Sequence, residues 1–177
     1  PARLGPKWPA FLVAVACVLP LDQWTKHVVA ARFAYGERLA VVDGVLDLTH
    51  VRNPGGAFSF LADASPELRS LFFVGMACVA IAMLVVFFAR LPAEDRGVAA
   101  ALGAILGGAV GNLLDRLRHG EVVDFIDVHL PGGYTWPTFN VADSAIVVGV
   151  IVLLLATFVE EREARREAAA AAAEPHD

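Results

Sequence analysis

Four long apolar stretches constrain the fold of this chain more than any other feature of its sequence. We place them at about residues 9–31, 68–89, 97–117 and 138–159, each close to the roughly 20 residues that cross a bilayer as a helix. The chain is 57% hydrophobic and has a mean hydropathy of +0.60, which is too apolar for an ordinary soluble domain. The pattern predicts an all-α membrane protein with four transmembrane helices.

The connections between these stretches predict a small β element outside the membrane. Residues 33–66 and 119–137 form two long connections, whereas 90–96 is short. Apolar runs flank Asp43-Gly44, a strong signal for a two-residue hairpin turn, and residues 121–128 alternate as a strand does. We expect one membrane-embedded domain over residues 1–160, followed by a charged, alanine-rich tail over 161–177.

The first apolar stretch also has an alternative interpretation. Arg3 and Lys7 precede an apolar core, which is the pattern of a cleaved signal peptide. Three further apolar stretches follow, and they favour a resident first helix instead.

The order of the four spans brings the polar clusters to one face of the membrane. The first and third spans end at the face where the second and fourth begin. The clusters at these points contain Asp22, Lys26, Asn112, Asp115, Arg116, Asn140 and Asp143. A proton-coupled transporter would be expected to place polar groups near the midplane, so a reaction site at one interface fits better.

Charge gives only a weak indication of which face this is. By our count seven Lys and Arg residues lie on each side of the membrane. Lys26 and Arg116 belong to the polar clusters and the 33–66 connection is long, so discounting them favours termini on the cytoplasmic side. The formal net charge of -5 argues against nucleic acid as a partner.

Two of the clusters allow a structural interpretation beside a functional one. Asp22 and Lys26 are spaced i, i+4 with the acid first, as in a mutually neutralising pair on a helix. Asp115 and Arg116 would be costly against lipid, so we expect them to face the bundle. Arg116 would then form a bidentate hydrogen bond with a carboxylate or a structural ion pair between two helices.

Strand periodicity singles out Asp124 in the second long connection. With a period of two, Asp124 shares a face with the apolar Val122 and Ile126, where desolvation raises the pKa of a carboxyl group. Asp127 shares the other face with Glu121, and we expect it to face solvent.

Asp143 is the second candidate because it lies at the head of a membrane-length apolar run, where a carboxylate marks function. Asn140 and Asp143 also resemble a capping box, which explains both without catalysis. Paired with Asp124, Asp143 suggests an aspartic dyad in which one carboxyl holds a proton and the other accepts one from water. Such a pair needs no metal or cofactor, and the histidines and cysteines show no metal-ligand spacing.

A different class of enzyme is the main alternative. Paired aspartates at a membrane face are also able to hold Mg²⁺ in a metal-dependent lipid phosphotransferase. The acids here are scattered over three elements without a tight Asp-rich motif, which disfavours it.

Five short motifs follow one another between residues 22 and 143. They are Asp22-Gln-Trp-Thr-Lys26, Asn53-Pro-Gly-Gly-Ala-Phe58, Gly107-Gly-Ala-Val-Gly-Asn-Leu-Leu-Asp-Arg116, Val122-Val-Asp-Phe-Ile126 and Phe139-Asn-Val-Ala-Asp143. Together they resemble the lipoprotein signal peptidases, also called signal peptidase II. The resemblance implies a four-helix aspartic endopeptidase that cleaves the signal peptide from prolipoproteins just before a diacylglyceryl-modified cysteine.

The resemblance also implies roles for individual residues. Asp124 and Asp143 would be the catalytic dyad. The residues expected to bind substrate or support the dyad are Asp22, Lys26, Asn53, Phe58, Asn112, Asp115, Arg116 and Asn140. The expected partners are a lipid-modified prolipoprotein and membrane lipid. We expect a monomer in the bacterial inner membrane, with the site near the outer face and both termini cytoplasmic.

Overall fold

Four helices and a small antiparallel sheet form the part of the chain that the computed structural model describes, residues 5–55 and 64–173. The elements in chain order are α1 (Lys7–Arg32), β1 (Arg38–Val42), β2 (Leu46–Asn53), α2 (Pro66–Arg90), α3 (Arg96–His119), β3 (Val122–Leu130), β4 (Tyr134–Thr135) and α4 (Val141–Ala173). All four helices are long and apolar enough to cross a membrane. The predicted fold class is therefore confirmed.

The helix ends follow from local sequence. The side chains of Ser65 and Asp95 accept hydrogen bonds from the backbone N–H groups of Leu68 and Val98, which caps the starts of α2 and α3. Gly120 ends α3 in the left-handed conformation, at φ 76°. Capping thus fixes the start of α2 and both ends of α3.

Helix α3 is the centre of the bundle. In its most apolar stretch 44% of the residues are buried in protein, against 11% or less in the other three helices. Gly103, Gly107 and Gly111 line the face that meets α1, and a Cβ atom at these positions would press on Phe11, Val18 and Asp22 respectively. Small residues at i, i+4 spacing thus let two membrane helices approach closely, as the sequence predicted.

The two ends of the bundle differ in character. At the end where α1 and α3 begin, Phe11, Phe88 and Leu102 belong to a dry apolar core. At the opposite end, where α1 and α3 finish and α4 begins, buried polar side chains replace that core. The sheet follows α1 and α3 in the chain and therefore lies at this polar end.

The sheet has the strand order β1-β2-β3-β4, with every neighbouring pair antiparallel. The predicted hairpin is present, but its turn spans Asp43, Gly44 and Val45 instead of two residues, with Gly44 at φ 71°. A register irregularity between Ala40 and Val42 accommodates the extra residue. Strand β3 reaches back to the start of α4 through a bridge between Ile126 and Phe139.

Helix α4 continues without a break to Ala173, so the charged residues after 160 extend the fourth helix. Helix α1 packs against α3 and supplies Asp22 and Lys26 to the polar end. The resident-helix interpretation predicts such packing of α1 within the bundle.

Candidate functional site

Asp124 lies in the middle of β3 and is buried, with 2% of its surface exposed. One carboxylate oxygen, Oδ1, accepts a hydrogen bond of 2.7 Å from the Asn140 side chain. The other, Oδ2, accepts one of 2.9 Å from the Asn53 side chain at the end of β2. Both oxygens of this buried carboxyl group are thus held by amide donors from neighbouring elements.

Asp143 lies in the first turn of α4, and the capping box that its sequence suggested is present. The Asp143 backbone N–H donates to Asn140 Oδ1 at 3.0 Å, and the Asn140 N–H donates to Asp143 Oδ2 at 3.2 Å. Asp143 Oδ1 remains and accepts a 2.8 Å hydrogen bond from the Asn112 side chain on α3. Capping therefore fixes the Asp143 carboxylate while leaving one oxygen turned to the rest of the site.

Two asparagines connect Asp124 to Asp143. Asn140 reaches Asp124 through its side chain and Asp143 through its backbone, as described above. Its side-chain nitrogen also donates to Asn112 Oδ1 at 3.2 Å. The two carboxyl groups from β3 and α4 are thereby brought into one hydrogen-bonded network, in which Asn140 contacts both aspartates, Asn53 contacts Asp124 and Asn112 contacts Asp143.

Lys26 is the cation at the centre of the supporting network. Its ammonium group is 2.9 Å from Asp22, 2.9 Å from Asp115 and 2.8 Å from Asn112 Oδ1. The predicted Asp22–Lys26 pair is confirmed, and it is buried between α1 and α3. Because Asn112 accepts from Lys26, its nitrogen must face the other way, toward Asp143.

Asp22 also connects α1 to the start of α4. Its Oδ1 accepts a 2.9 Å hydrogen bond from the Ala142 N–H, one of the backbone groups that a helix start leaves without an intrahelical partner. This contact could not be read from the sequence because it joins residues 120 positions apart.

Gln23 is a further member of this network, and its role was not predicted from the sequence. Its Nε2 donates to Asp115 Oδ1 at 3.0 Å and lies 3.2 Å from both Asp22 Oδ2 and the Gly111 carbonyl oxygen. Its Oε1 accepts from Arg118 at 2.9 Å. A polar amide in a membrane-length helix is a signal in itself, since such groups form hydrogen bonds between helices.

Arg116 does not make the contact that we expected. Within the described residues it has no carboxylate partner within ion-pair distance, and Lys26 instead forms the ion pair with Asp115. Arg116 donates to the Asn112 carbonyl oxygen at 3.3 Å and lies over the ring of Phe73, 5.5 Å from its centroid. The side chain is long enough to lie along α2, so helix packing and not sequence spacing decided its partner.

Asp127 corrects another expectation. It is 2% exposed and does not face solvent. Strand alternation does put it on the opposite face of β3 from Asp124, but that face is covered as well: Arg38 of β1 lies 3.0 Å from its carboxylate and His129 lies 3.9 Å away. Period-two reasoning assigns faces correctly but cannot tell which faces are covered.

The electrostatics of the site favour one retained proton. Burial, opposed by the hydrogen bonds from Asn53 and Asn140 and assisted by the nearby charge of Asp143, raises the pKa of Asp124 from 3.8 to about 6. Four carboxylates of the network, those of Asp22, Asp115, Asp124 and Asp143, share the site with the two cations Lys26 and Arg116. The carboxylates therefore outnumber the cations by two, and a proton on Asp124 reduces this excess negative charge to one.

Asp124 is accessible from one side despite its burial. A surface hollow of about 250 Å³ opens beside it and is lined by Val51, Arg52, Asn53, Pro54, Asp124, Pro137 and Thr138. Next to it, Gly55 adopts φ 99° and its Cα lies against the Phe73 ring, where a Cβ would collide. Phe58, which the sequence suggested as a substrate-binding residue, is three positions after Gly55 and lies outside the described residues.

The fold and the site define an integral membrane protein with two aspartates, each hydrogen-bonded by asparagine side chains, at one end of its helix bundle. This is the arrangement expected of a membrane-embedded aspartic hydrolase. Residues 14–159 match the family model described as signal peptidase (SPase) II. The chain therefore belongs to the signal peptidase II family.

Individual relatives agree with this assignment. The chain is 45% identical to the lipoprotein signal peptidase of Syntrophus aciditrophicus over 81% of its own length and 88% of the relative's. It is 45% identical to that of Geobacter sulfurreducens, over 85% and 92% of the two chains. A bacterial membrane enzyme solved by the in meso method at 1.9 Å superposes with a TM-score of 0.74 and 33% identity, over 83% and 91% of the two chains.

Proposed function

We propose that this protein is an aspartic endopeptidase of the membrane that removes the signal peptide from prolipoproteins, cleaving before a diacylglyceryl-modified cysteine. The observation that carries the proposal is the pairing of Asp124 and Asp143 through Asn112 and Asn140, at the end of the bundle where the sheet lies. Membership of the signal peptidase II family supports the substrate class.

The geometry supports a general acid–base mechanism. Asp143 accepts hydrogen bonds from Asn112 and from the Asn140 backbone and lies at a helix N-terminus, and we assign it as the base of the pair. Asp124, desolvated within the sheet, has its pKa raised to about 6, and we assign it as the acid of the pair. Asp143 would take a proton from a water molecule as that water attacks the scissile carbonyl carbon, while Asp124 gives its proton to the carbonyl oxygen.

The second half of the reaction restores the pair. Collapse of the tetrahedral intermediate breaks the C–N bond, and the departing nitrogen receives the proton that Asp143 acquired. The carbonyl re-forms as a carboxyl group, and its proton returns to Asp124. The mechanism uses only these two side chains as proton carriers, and Asn53, Asn112 and Asn140 keep them oriented throughout.

The supporting cluster has a separate task. Lys26, Asp22 and Asp115 neutralise one another in part, and they join α1, α3 and α4 around the site. Because Lys26 also fixes the orientation of Asn112, this ion-pair cluster positions the amide that Asp143 uses. Its members are positioning residues and do not take part in proton transfer.

We infer that an extended segment of the substrate enters through the hollow beside Asp124. The lining residues come from the end of β2, from Asp124 on β3 and from the segment before α4, so a peptide there would pass the Asp124 carboxyl group. Phe58 lies in the segment that follows Gly55 in the chain, outside the described residues, and we propose that its side chain contributes to substrate binding. Phe58→Asp should accordingly raise KM more than it lowers kcat, and an unchanged KM would contradict this role.

We further propose that the termini are cytoplasmic, that the site faces the outer side of a bacterial inner membrane, and that the enzyme acts as a monomer. Single cysteines at exposed Asp43, in the hairpin turn, and Glu94, between α2 and α3, distinguish the two orientations after Cys17 and Cys78 are replaced. An impermeant thiol reagent added to intact cells should label position 43 only. Labelling of position 94 instead would show that the protein has the opposite orientation in the membrane.

The function is tested with purified protein and a diacylglyceryl-modified precursor in detergent. Mass spectrometry should show loss of the signal peptide, with the modified cysteine as the new N-terminus, in buffer with EDTA. The same precursor without the lipid is the control and should be cleaved far more slowly. Cleavage elsewhere, or cleavage that stops in EDTA, would contradict the proposal and favour the metal-dependent alternative.

A further inference from the structure

A second cluster of polar side chains lies on the face of the sheet opposite Asp124. Asp47 on β2 and Asp127 on β3 are direct cross-strand partners, so two carboxylates stand side by side. His129, two residues further along β3, places its Nε2 3.0 Å from Asp47 Oδ2 and 3.9 Å from Asp127 Oδ2. Like charges directly opposite each other destabilise a strand pair, so this pairing calls for a compensating cation.

The cation that the chain itself provides does not satisfy the cluster. Arg38 Nη1 is 3.0 Å from Asp127 Oδ2, yet its N–H is not aligned as a hydrogen bond, and that buried oxygen has no hydrogen-bond partner in the described part of the chain. The Arg38 side chain is 57% exposed, so solvent is able to hydrate its guanidinium group when a metal ion takes its place beside Asp127. A buried carboxylate oxygen without a donor costs free energy that a metal bond would recover.

We propose that Asp47, Asp127 and His129 form a binding site for a divalent transition-metal ion, with Zn²⁺ as the best fit. One ligand atom from each residue lies within 4.8 Å of the others. Tetrahedral zinc with bonds of about 2.0–2.2 Å holds its ligand atoms roughly 3.3–3.6 Å apart, so no two of these atoms, which lie within 4.8 Å of one another, need to approach by more than about 1.2 Å. One imidazole and two carboxylates suit zinc or manganese better than Mg²⁺, and a water molecule would complete the coordination.

The surroundings are those of a site that an ion is able to enter. The side chains of His129 and Asp47 are 25% and 17% exposed, so the cluster is open to solvent on one side while Asp127 forms its floor. The other ring nitrogen of His129 lies 3.4 Å from the Thr135 hydroxyl on β4. A hydroxyl partner there holds the ring so that Nε2 faces the carboxylates, as the outer partners of metal-bound histidines do.

The ion would tie β2 to β3, the two strands that carry Asn53 and Asp124. It would therefore stiffen the sheet that supports the site without touching the reacting groups. The inference rests on the sheet alone and does not depend on the proposed peptidase activity.

The test uses tag-free protein in detergent, stripped of metal with EDTA and desalted. Titration with Co²⁺, a spectroscopic substitute for Zn²⁺, should give a saturable visible absorption band that Zn²⁺ abolishes by competition. Saturating Zn²⁺ should raise Tm by about 5 °C. Absence of a saturable band and of a Tm shift would overturn the proposal.

Three variants and a control separate a metal site from an internal ion pair. His129→Gln and Asp47→Asn should each weaken Co²⁺ binding by at least about tenfold, and Asp47, being partly exposed, is the safer change for folding. Arg38→Gln should tighten binding because it removes the competing cation, whereas a purely structural Arg38–Asp127 pair predicts no gain. His119→Gln, at the exposed end of α3, should bind Co²⁺ as the unchanged protein does.

The two proposals are distinguishable in one further measurement. His129→Gln protein should still cleave the lipidated precursor in EDTA, since the dyad lies on the other face of β3. Loss of metal binding with retained cleavage supports both proposals. Equal Co²⁺ affinity in His129→Gln and unchanged protein would overturn the metal site and leave the peptidase untouched.

Discussion

Two buried lysines on α1, one near each end of the bundle, are stabilised in different ways. Lys7 donates to the carbonyl oxygens of Phe88, Ala89 and Leu91 at 3.1, 3.4 and 2.5 Å, and its ammonium lies 5.0 Å from the Phe88 ring centroid. It thus binds the C-terminal end of α2, where the helix dipole is negative. Lys26 instead faces two carboxylates and an amide oxygen.

The difference separates a helix-end contact at one end of the bundle from a network of charged side chains at the end that holds the proposed site. Carbonyl oxygens at the end of α2 are neutral, so losing Lys7 strands no charge. Asp22 and Asp115 are buried acidic side chains, and Lys26 supplies the countercharge that makes their burial tolerable. A chain does not need such an arrangement to hold helices together, since the apolar end does that with Phe11, Phe88 and Leu102.

The largest effect is expected from the dyad itself. Asp124→Asn and Asp143→Asn should each leave a folded protein whose cleavage of the lipidated precursor is lowered by about 10² or more, the range for loss of a general acid or base. Initial rates in detergent measure it. Asp43→Asn, in the exposed hairpin turn, is the control and should cleave normally. Near-normal cleavage rates in either dyad variant would contradict the proposed aspartic mechanism.

Lys26→Met should be the most destabilising of the supporting changes, by about 3–5 kcal/mol, because two carboxylates are left buried without a cation. A lower Tm and weak activity are the readouts, since Asn112 also loses the contact that orients it. Adding Asp115→Asn to Lys26→Met should recover part of the stability by removing one stranded charge. Additive losses in the double variant would contradict the coupling.

The pH dependence tests the protonated partner. Burial raises the pKa of Asp124 to about 6, so its acid form is present below that pH and is lost as the pH rises through it. In free enzyme kcat/KM should therefore fall on the alkaline side of an apparent pKa that belongs to the coupled pair. Asn53→Ala removes a hydrogen bond that lowers the pKa of Asp124, so this limb should move to higher pH. A lower kcat/KM with no shift of the alkaline limb to higher pH would contradict the assignment of Asp124 as the acid.

Lys7→Met should have the smallest effect. Water at the membrane surface is able to solvate the freed carbonyl groups, so we expect a loss of about 1 kcal/mol in stability. Cleavage rates should be unchanged, because the side chain is at the far end of the bundle. A loss of stability as large as that of Lys26→Met would show that the two ends are not different in kind.

Patterns that are local in the chain were readable from the sequence. The apolar spans are continuous segments of the chain, and the Asp22–Lys26 pair, the glycine face of α3 and the Asn140–Asp143 cap each depend on residues three to four positions apart, where backbone geometry fixes the spacing. The order of the spans then placed all the polar clusters at one end. The face of β3 that carries Asp124 followed from strand alternation in the same way.

Only the tertiary structure decided which partners these groups find. Asp115 pairs with Lys26 and not Arg116, Gln23 joins the network, and Asp127 is buried under Arg38, because these contacts depend on how closely α1 meets α3 and on which strands flank β3. Sequence spacing gives the direction of a side chain relative to its own element. The distance to another element is set by packing, and ion pairs and hydrogen bonds change over a few ångströms.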